Sequence, residues 1–439
     1  MTKNKPRIPS GFIEYLPAEQ IEFNRLLDIV RSTYESYGFL PLDTPVMELS
    51  DVLLAKGGGE TEQQVYRFER GHNDLSLRFD LTVPLARYVA THENELTFPF
   101  YSYHIGKVYR AERPQRGRFR EFYQCDIDII GSNSHHVDSI PPTVINEIFE
   151  KFAFGEFTIR LNNRMILNGF FEELGLHEVS SGVLRLIDKM EKISTDELNN
   201  ELEKLNLTKE QIEQVLNFTG ISGNNNQIIE RLNAQDIKSE TFKKGVIKLQ
   251  MLISALRDMG VPESRFQIDL KIARGLDYYT GTVYETILND YPELGSVCSG
   301  GRYDNLAGTY TDTELPGVGI SIGLTRLFYQ LKEAGVINPN RQALADTVIM
   351  PLSEEQMPQA LTAASKLRSL GIATMLYTEN NDLKRKLRYA DRIGFRYAVL
   401  IGKDETEKNS ISIKDMGSGK TSLLGIDDAV KLILSNGSI

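Results

Sequence analysis

The stretch GKVYRAERPQRGRFREFYQCDIDIIG, residues 106–131, restricts the fold of this chain more than any other. Strand-like patterns flank a loop centred on Pro114 to Gly117, which predicts two strands joined by that loop. Between Lys107 and Glu121 there are six basic and two acidic residues, so this segment has a net charge of +4 in a chain of net charge −10. Such a pattern is typical of a solvated hairpin tip or of a surface that binds an anion.

Two residues of this stretch favour the anion-binding interpretation. We predict Arg110 within the first strand, beside aromatic residues, and Phe122 on the returning strand. An arginine held in a sheet can bind a phosphate through two parallel hydrogen bonds. An aromatic ring close to it can stack on a base. The stretch therefore predicts a site for a phosphorylated ligand, built on a sheet.

The remaining chain divides into three patterns. Residues 39–130 are rich in strand patterns separated by turns. Residues 178–262 are rich in Glu, Lys, Leu and Asn and are predicted as helices, with capping boxes beginning at Ser194 and Thr208. Strand patterns resume after this helical segment. From residue 346 onward, strands alternate with helices, which predicts an α/β domain.

Composition excludes several classes of protein. A chain of 439 residues with 41% hydrophobic and 25% charged residues can bury a core. Two cysteines are too few for a disulfide framework, and so few cysteines are typical of a protein from a reducing compartment. The first residues lack the apolar core of a signal peptide, and no apolar run is long enough to span a membrane. We therefore expect a cytoplasmic protein with no membrane partner.

A second glycine-rich stretch, MGSGKTS at Met416 to Ser422, is predicted to be a hairpin turn. A phosphate-binding loop requires a glycine at position 414, where the chain has Lys414. Such a loop also leads from a strand into a helix, whereas strand patterns lie on both sides of this stretch. We expect Gly417 and Gly419 to supply the positive φ angles of the turn.

Three segments resemble the motifs of class II aminoacyl-tRNA synthetases. Arg-x-Glu, a loop and Arg-x-x-x-Phe resemble motif 2, which here gives Arg110, Glu112, Arg118 and Phe122. GVGISIGLTRL (317–327) resembles motif 3, with Arg326, and GFLPLDTPVMELSDVL (38–53) suits motif 1, the usual dimer-forming element.

Further segments resemble one family within that class, the histidyl-tRNA synthetases. IARGLDYYTGTVYE (272–285) and SGGRYDNL (299–306) are similar to its two specific signatures. SLRFDLTVPLARYVA (76–90) is similar to its amino-acid-binding segment, with Asp80 where many bacterial members have Glu. The resemblance extends over the whole chain.

This resemblance implies a fold class and a division into domains. The expected fold is an α+β catalytic domain, in which an antiparallel sheet is flanked by helices, with a helical insertion and a C-terminal α/β anticodon-binding domain. The expected boundaries are 1–330 for the catalytic domain, about 178–262 for the insertion, 331–345 for the linker and 346–439 for the anticodon-binding domain.

The resemblance also implies the reaction. Histidine and ATP form histidyl-adenylate, and the histidyl group then passes to the 3′ end of tRNA(His). ATP and Mg²⁺ are the expected substrate and cofactor, and a homodimer is the expected assembly; the sequence leaves the metal ligands unknown. The substrate carboxylate is itself the nucleophile, so the protein needs to align groups and stabilise charge at phosphorus.

Each implied role belongs to a position of this chain. The expected catalytic residues are Arg274 and Arg110. The expected ATP-binding residues are Arg110, Glu112, Arg118, Phe122 and Arg326. The expected histidine-binding residues are Asp80, Thr82, Gln124, Asp128, Tyr279 and Tyr303. The candidates for contact with tRNA are Gln115, Arg116 and Arg120.

Alternatives remain at this stage. Judged alone, Asp80 could be a turn residue and Tyr303 a core tyrosine. The resemblance also admits a catalytically inactive regulatory paralogue of ATP phosphoribosyltransferase, although that protein generally lacks the C-terminal domain. A class II synthetase for another amino acid is the third alternative, which the two specific signatures argue against.

Overall fold

The structure is a computed structural model that describes residues 5–55, 60–113, 117–188, 190, 193–272, 279–305, 307–340 and 342–435. Its internal contacts divide it into two compact units. The first contains the described residues of 1–13 and 26–337, and the second those of 14–25 and 338–439. The domain boundaries predicted from the sequence stay a proposal.

The strands and helices of the described residues are numbered in chain order. The strands are β1 (Leu40–Pro41), β2 (Met47–Leu49), β3 (Arg67–Arg70), β4 (Asn73–Leu77), β5 (Phe100–Tyr109), β6 (Glu121–Ile130), β7 (Phe157–Asn163), β8 (Phe266–Ile268), β9 (Thr282–Leu288), β10 (Cys298–Tyr303), β11 (Gly317–Ile322), β12 (Thr347–Pro351), β13 (Thr374–Leu376), β14 (Tyr397–Ile401), β15 (Ile411–Asp415) and β16 (Thr421–Leu424). The helices are α1 (Pro17–Ser36), α2 (Ser50–Leu53), α3 (Glu60–Gln64), α4 (Thr82–Thr91), α5 (Ile140–Phe152), α6 (Arg164–Glu173), α7 (Ser180–Ile187), α8 (Thr195–Lys204), α9 (Lys209–Thr219), α10 (Asn225–Asn233), α11 (Glu240–Asp258), α12 (Leu324–Glu333), α13 (Met357–Ser369), α14 (Leu383–Ile393), α15 (Lys403–Glu407) and α16 (Ile426–Ser435).

An eight-stranded sheet forms the centre of the first unit, in the order β1-β5-β6-β11-β10-β9-β7-β8. The six central strands are antiparallel, and one parallel strand lies at each edge. Helices α5 and α12 pack against this sheet. The fold class predicted for this part of the chain, an antiparallel sheet flanked by helices, is confirmed.

The hairpin predicted from residues 106–131 is the longest strand pair of this sheet. β5 and β6 pair over ten residues each, from Phe100 opposite Ile130 to Tyr109 opposite Glu121. One face of β6 is packed against α1, where the Tyr34 hydroxyl donates to the Cys125 carbonyl at 2.8 Å. Because side chains alternate along a strand, the residues at positions 124, 126 and 128 lie on the opposite face.

A smaller antiparallel sheet, in the order β2-β4-β3, follows β1 in the first unit. β4 ends at Leu77, and helix α4 begins at Thr82, with Leu85, Ala86 and Val89 buried. The sequence predicts a strand-rich segment over residues 39–130, so α4 differs from that prediction. Pro84 lies in the first turn of the helix, where no backbone N–H is needed.

The segment predicted to be helical contains α7 to α11. At the start of α9, Thr208 and Gln211 form the predicted capping box, and Ser194 accepts from the backbone N–H of Glu197 at the start of α8. Helices α6 and α11 approach each other closely where they cross, because Gly245 of α11 has no side chain. A Cβ atom on Gly245 would lie 2.7 Å from the backbone nitrogen of Ile166.

The second unit contains a five-stranded sheet in the order β13-β12-β14-β15-β16. The first three strands are parallel and the last two antiparallel. Buried residues of α13 and α16 pack on one face, and Ala390 of α14 packs in a separate cluster that contains Val348 and Ala398. The predicted α/β domain is confirmed.

Two details of the second unit differ from the expectations. The MGSGKTS stretch joins the antiparallel strands β15 and β16 as predicted, but only Gly419 has a positive φ angle, of 74°. The Asp415 side chain accepts from the backbone N–H of Ser418 at 2.7 Å and supports the turn, so a second positive φ angle is not needed. The sequence of α14, with Lys384, Arg385, Lys386, Arg388 and Arg392, suggests a basic helix, but the Lys386 side chain is buried and donates to the Pro351 carbonyl.

Among the described residues, every helix is too short or too polar to cross a bilayer.

We predict that Gly245→Ala destabilises the first unit by about 1–3 kcal/mol, because the added methyl group overlaps the backbone of α6. Alanine has a higher helix propensity than glycine, by about 1 kcal/mol. Any loss of stability in Gly245→Ala therefore comes from the overlap and not from helix propensity. Denaturant-induced unfolding measures the effect. The control is Ser254→Ala, at an exposed position of the same helix, which should change the free energy of unfolding by less than about 0.5 kcal/mol. Equal stability of Gly245→Ala and wild type would refute the close crossing.

A cavity on the central sheet of the first unit

A cavity of about 850 Å³ lies over the central strands of the eight-stranded sheet. Its walls come from β6, β9, β10 and β11, from the segments after β4 and β5, and from the start of α12. Eleven of the residues predicted from the sequence line it: Asp80, Thr82, Arg110, Glu112, Arg118, Phe122, Gln124, Asp128, Tyr279, Tyr303 and Arg326. The structure therefore brings together residues that are up to 246 positions apart in the chain, from Asp80 to Arg326.

Arg110 lies between two aromatic rings. Its guanidinium carbon is 4.3 Å from the ring centre of Phe79 and 5.1 Å from that of Phe122, and its Nε donates to the Phe79 carbonyl at 3.2 Å. The prediction that Arg110 is part of the strand was wrong by one residue, since β5 ends at Tyr109. The cation–π contacts restrict the side chain without neutralising its charge, which suits the binding of an anion.

Glu112 and Arg118 face each other across the loop that follows β5. Arg118 Nη1 lies 3.4 Å from Glu112 Oε2. The Arg118 side chain is about half exposed, so this ion pair contributes little to stability and can exchange for contacts to a ligand. Arg120 does not line the cavity: it donates to the backbone carbonyls of Glu112 and Ser10.

Three polar side chains project from successive cavity-facing positions of β6, namely Gln124, Asp126 and Asp128. All three are at most 8% exposed. Among the described residues, Gln124 Oε1 and Asp126 Oδ1 have no hydrogen-bond partner. Buried acceptors without partners are uncommon in proteins, and inside a cavity they indicate a ligand that donates hydrogen bonds.

Asp128 forms a short contact with Tyr303 of β10, whose hydroxyl donates to Asp128 Oδ1 at 2.6 Å. The pKa of Asp128 is raised to about 7, chiefly by burial. The Tyr303 hydrogen bond lowers this pKa, and the charge of Asp80 raises it. The strand between them, β11, makes room for the pair. A Cβ atom on Gly319 would lie 2.2 Å from Asp128 Oδ1, and one on Gly317 would lie 2.3 Å from the Tyr303 ring.

Asp80 and Thr82 lie where the chain enters α4. Asp80 Oδ1 accepts from the backbone N–H of Val83 at 3.0 Å, so the side chain caps the helix as well as lining the cavity. Burial raises the pKa of Asp80, while these backbone contacts and the charge of Arg110 lower it. The turn-residue interpretation of Asp80 is therefore compatible with a role in the cavity.

The remaining predicted residues occupy different parts of the cavity. Tyr279 is buried, and its ring lies 2.9 Å from the position of a Cβ atom on Gly301. Arg326, in the first turn of α12, donates to the Leu294 carbonyl at 2.9 Å. Arg274, Gln115 and Arg116 lie outside the described residues.

The sequence did not predict a buried ion pair behind the cavity. Both Nε and Nη2 of Arg302 bind Asp138 Oδ1, at 2.8 and 2.5 Å, and the Thr282 hydroxyl donates to Asp138 Oδ2 at 2.7 Å. Arg302 also donates to the carbonyls of Ser132 and Ser134. Arg302 belongs to SGGRYDNL, so part of that signature supports the sheet behind Tyr303 rather than contacting a ligand.

The sequence did not predict a role for Asp126 either. Its position is evident from the spacing Gln124-x-Asp126-x-Asp128, which places all three side chains on one face of a strand. Burial raises the pKa of Asp126 well above its usual value, and the charges of Asp128 and Asp80 raise it further.

No group of three or more His, Cys, Asp or Glu side chains that could hold a metal ion occurs in the part of the chain that the structure describes. Single carboxylates do line the cavity, among them Glu285 and Glu293.

Comparison with known proteins gives matches over nearly the whole chain. Residues 11–327 match the family model described as "Histidyl-tRNA synthetase", and residues 346–436 match the one described as "Anticodon binding domain". A curated protein of Clostridium tetani named "Histidine--tRNA ligase" is 51% identical over 98% of this chain and 98% of its own length.

Solved structures agree with these matches. The crystal structure of histidyl-tRNA synthetase from Nostoc sp. is 42% identical, with a TM-score of 0.91, and covers 98% of this chain and 100% of that one. A Bacillus halodurans structure titled as an ATP phosphoribosyltransferase regulatory subunit/histidyl-tRNA synthetase is 22% identical over 91% of this chain and 99% of its own, with a TM-score of 0.76. At that identity it shows a common fold alone.

We predict that Asp128→Asn stabilises the ligand-free protein, and that the gain increases from pH 5 to pH 8. The folded protein raises the pKa of Asp128 from 3.8 to about 7, so ionising the carboxyl costs stability as the pH rises through this range. The cost is absent below about pH 4 and complete above about pH 7, with a slope of up to about 1.4 kcal/mol per pH unit. Asparagine still accepts from Tyr303 but cannot ionise.

Unfolding by denaturant at several pH values measures this difference. Asp312→Asn, at an exposed carboxyl, is the control and should show no such trend. A stability difference between Asp128→Asn and wild type that is constant from pH 5 to pH 8 would contradict the assigned pKa.

Proposed function

We propose, because the chain belongs to the histidyl-tRNA synthetase family, that it ligates L-histidine to tRNA(His) in two steps. The carboxylate of histidine attacks the α-phosphate of ATP, which gives histidyl-adenylate and releases pyrophosphate. The ribose hydroxyl at the 3′ end of the tRNA then attacks the carbonyl of the adenylate, and AMP leaves. The observation that carries this proposal is the single cavity in which Arg110 and Arg326 lie together with the Asp128–Tyr303 pair.

The imidazole end of histidine is assigned to Asp128, Tyr303 and Tyr279. A buried carboxyl and phenol can hydrogen-bond both ring nitrogens, which an apolar side chain cannot satisfy. Replacing histidine by an apolar amino acid leaves these groups without partners in a buried site, so the wrong amino acid is disfavoured. The α-ammonium group is assigned to Asp80, Thr82 and Gln124. All three side chains line the cavity and carry an oxygen that can accept from an ammonium group.

The nucleotide is assigned to the opposite part of the cavity. Arg110 holds the α-phosphate, since its guanidinium is fixed between two rings and retains its charge. Arg326 holds the distal phosphates, while Glu112, Arg118 and Phe122 bind the adenosine. Phe122 already carries the Arg110 guanidinium near its ring, so this arginine and the base share the aromatic surface. Arg274 remains the predicted second catalytic cation.

Mg²⁺ is expected to bind with the nucleotide. Magnesium usually takes one or two protein carboxylates together with substrate phosphates and water, so a cluster of three protein ligands is not required. Glu285 and Glu293 are among the carboxylates that line the cavity. When bound, the ion neutralises phosphate charge during the displacement.

Transfer RNA is assigned to two surfaces. Four exposed cations of α14, Lys384, Arg385, Arg388 and Arg392, present positive charge on the second unit, which matches an anticodon-binding domain. Gln115, Arg116 and Arg120 remain candidates for the acceptor end. The presence of the second unit also argues against the regulatory paralogue. A cytoplasmic location stays a prediction.

The decisive test is histidine-dependent exchange of pyrophosphate into ATP, followed by charging of tRNA(His). We expect Arg110→Ala to reduce the exchange rate roughly a hundredfold or more, because it removes a fixed charge at the reacting phosphate. Lys420→Ala is the control: it lies in the MGSGKTS turn and should leave exchange unchanged. A wild-type protein that neither exchanges nor charges, but binds ATP phosphoribosyltransferase, would overturn the proposed function.

We also propose a homodimer, formed through the segment 38–53. Leu40, Val46, Met47 and Leu49 of this segment are between 39% and 57% exposed, an unusual density of apolar surface at two sheet edges. Met47→Glu should therefore shift the molar mass in sedimentation from dimer to monomer. Met251→Glu, at an exposed apolar residue of α11, is the control. A wild-type monomer, or a dimer that resists Met47→Glu, would contradict this assignment.

A further inference from the structure

Asp126 has no role in the function described above, although it lies in the middle of the amino-acid site. Its side chain is 2% exposed, lines the cavity and lies between Gln124 and Asp128 on the same face of β6. A carboxyl buried among other carboxyls is costly unless it has a function or a set of hydrogen bonds. The contacts around it show what it does to its neighbours.

Ser321 connects Asp126 to Gln124. It lies directly opposite Asp126 in the adjacent strand β11, so its hydroxyl and the Asp126 carboxyl project side by side from one face of the sheet. The same hydroxyl oxygen accepts from Gln124 Nε2 at 2.6 Å. A hydroxyl that accepts from Gln124 keeps its own proton to donate, and the Asp126 carboxyl is the acceptor beside it. The amide of Gln124 is then held with its NH₂ group toward Ser321 and its carbonyl oxygen turned away.

In this arrangement the amide oxygen, Gln124 Oε1, faces away from Ser321, and it has no hydrogen-bond partner among the described residues. If the hydroxyl of Ser321 turned round, the amide would flip and offer an NH₂ group in place of that oxygen. An NH₂ group repels an ammonium ion, whereas a carbonyl oxygen binds it. The direction of one hydrogen bond therefore decides whether this position favours or opposes the amino group of a substrate.

We propose that Asp126 is a positioning residue for the substrate ammonium group: through Ser321 it orients the amide of Gln124 so that Oε1 accepts from the ammonium. This inference rests on the proposed function and deepens it, since it concerns how the same site recognises its amino acid. Asp126 itself needs no contact with the substrate.

The charges around Asp126 are compatible with this role. Burial, Asp128 and Asp80 raise the pKa of Asp126, whereas the Ser321 hydrogen bond and Arg110 lower it. His104, its cross-strand neighbour in β5, has a pKa lowered to about 4 by burial and by Arg78, so it is neutral near pH 7 and adds no positive charge. Either protonation state of Asp126 retains an oxygen that accepts from Ser321.

Ligand binding separates this role from others. The probes are L-histidine and 3-(imidazol-4-yl)propanoate, which lacks the amino group, and their affinities are measured by calorimetry on the full chain. We expect Ser321→Ala and Asp126→Leu each to weaken histidine binding roughly tenfold or more, the typical effect of losing a hydrogen bond to a charged group. The deaminated ligand should bind each variant within about twofold of its affinity for wild type.

Two comparisons test the route through Ser321. Asp126→Asn keeps an acceptor oxygen of the same shape and should retain most of the histidine affinity that Asp126→Leu loses. In the Ser321→Ala background, Asp126→Leu should have little further effect, because the two residues act in series. If Asp126→Asn loses as much affinity as Asp126→Leu, the charge of Asp126 is what matters and the proposal is wrong.

Other outcomes also decide the matter. Should Ser321→Ala, the mildest substitution, leave histidine binding unchanged, the proposal fails even if Asp126→Leu does not fold. Equal losses for histidine and the deaminated ligand would indicate damage to the imidazole end and overturn it as well. Wild-type protein that does not bind histidine at all would refute the proposed function together with this inference, whereas the other outcomes refute the inference alone.

Discussion

The cavity depends on a strand that has almost no side chains on one face. That face of β11 and of the residue after it carries every second position, from 317 to 323. These four residues are Gly317, Gly319, Ser321 and Gly323. A Cβ atom at Gly319 would overlap the Asp128 carboxyl, and one at Gly317 would overlap the Tyr303 ring. Because the floor is main chain, side chains from the strands on either side, β6 and β10, can meet above it. The one hydroxyl on this face, that of Ser321, lies between Gln124 and Asp126.

Electrostatics divides the cavity into two ends. Burial raises the pKa of Asp80, Asp126 and Asp128; the charge of Asp80 raises the pKa of the other two further, and that of Asp128 raises the pKa of Asp126. Such a group is tolerated when a cation shares the space, and an amino acid supplies an ammonium group there. Arg110 lies close enough to Asp80 and Asp126 to lower the pKa of both, while its rings keep it in place for a phosphate. In the proposed function, a zwitterionic amino acid and a polyanion meet at the boundary between the acidic and the basic part.

Much of the fold could be predicted from the sequence, because long alternating stretches determine long strands. The stretch 106–131 predicts two strands joined by a loop, and β5 ends at Tyr109 and β6 begins at Glu121 on the two sides of that loop. Short elements could not be predicted: helix α4, of ten residues, lies within a segment whose pattern predicts strands. Burial of Lys386 depends on the Pro351 carbonyl, which only the tertiary structure brings near. In the site, the motifs predicted which residues meet, but not that Arg302 binds Asp138 rather than a ligand, since that pair joins segments 164 residues apart.

The glycine face of β11 also limits how the cavity can change by mutation. A binding site lined by side chains can escape a tight-fitting inhibitor by shortening one of them. No shorter residue than glycine exists, so an inhibitor that presses on Gly319 cannot be evaded by removing atoms there. Adding atoms displaces Asp128, and with it a group on which recognition of the natural substrate is expected to depend. Resistance to such a compound would have to arise at the walls of the cavity, and the floor is therefore the most durable surface to target.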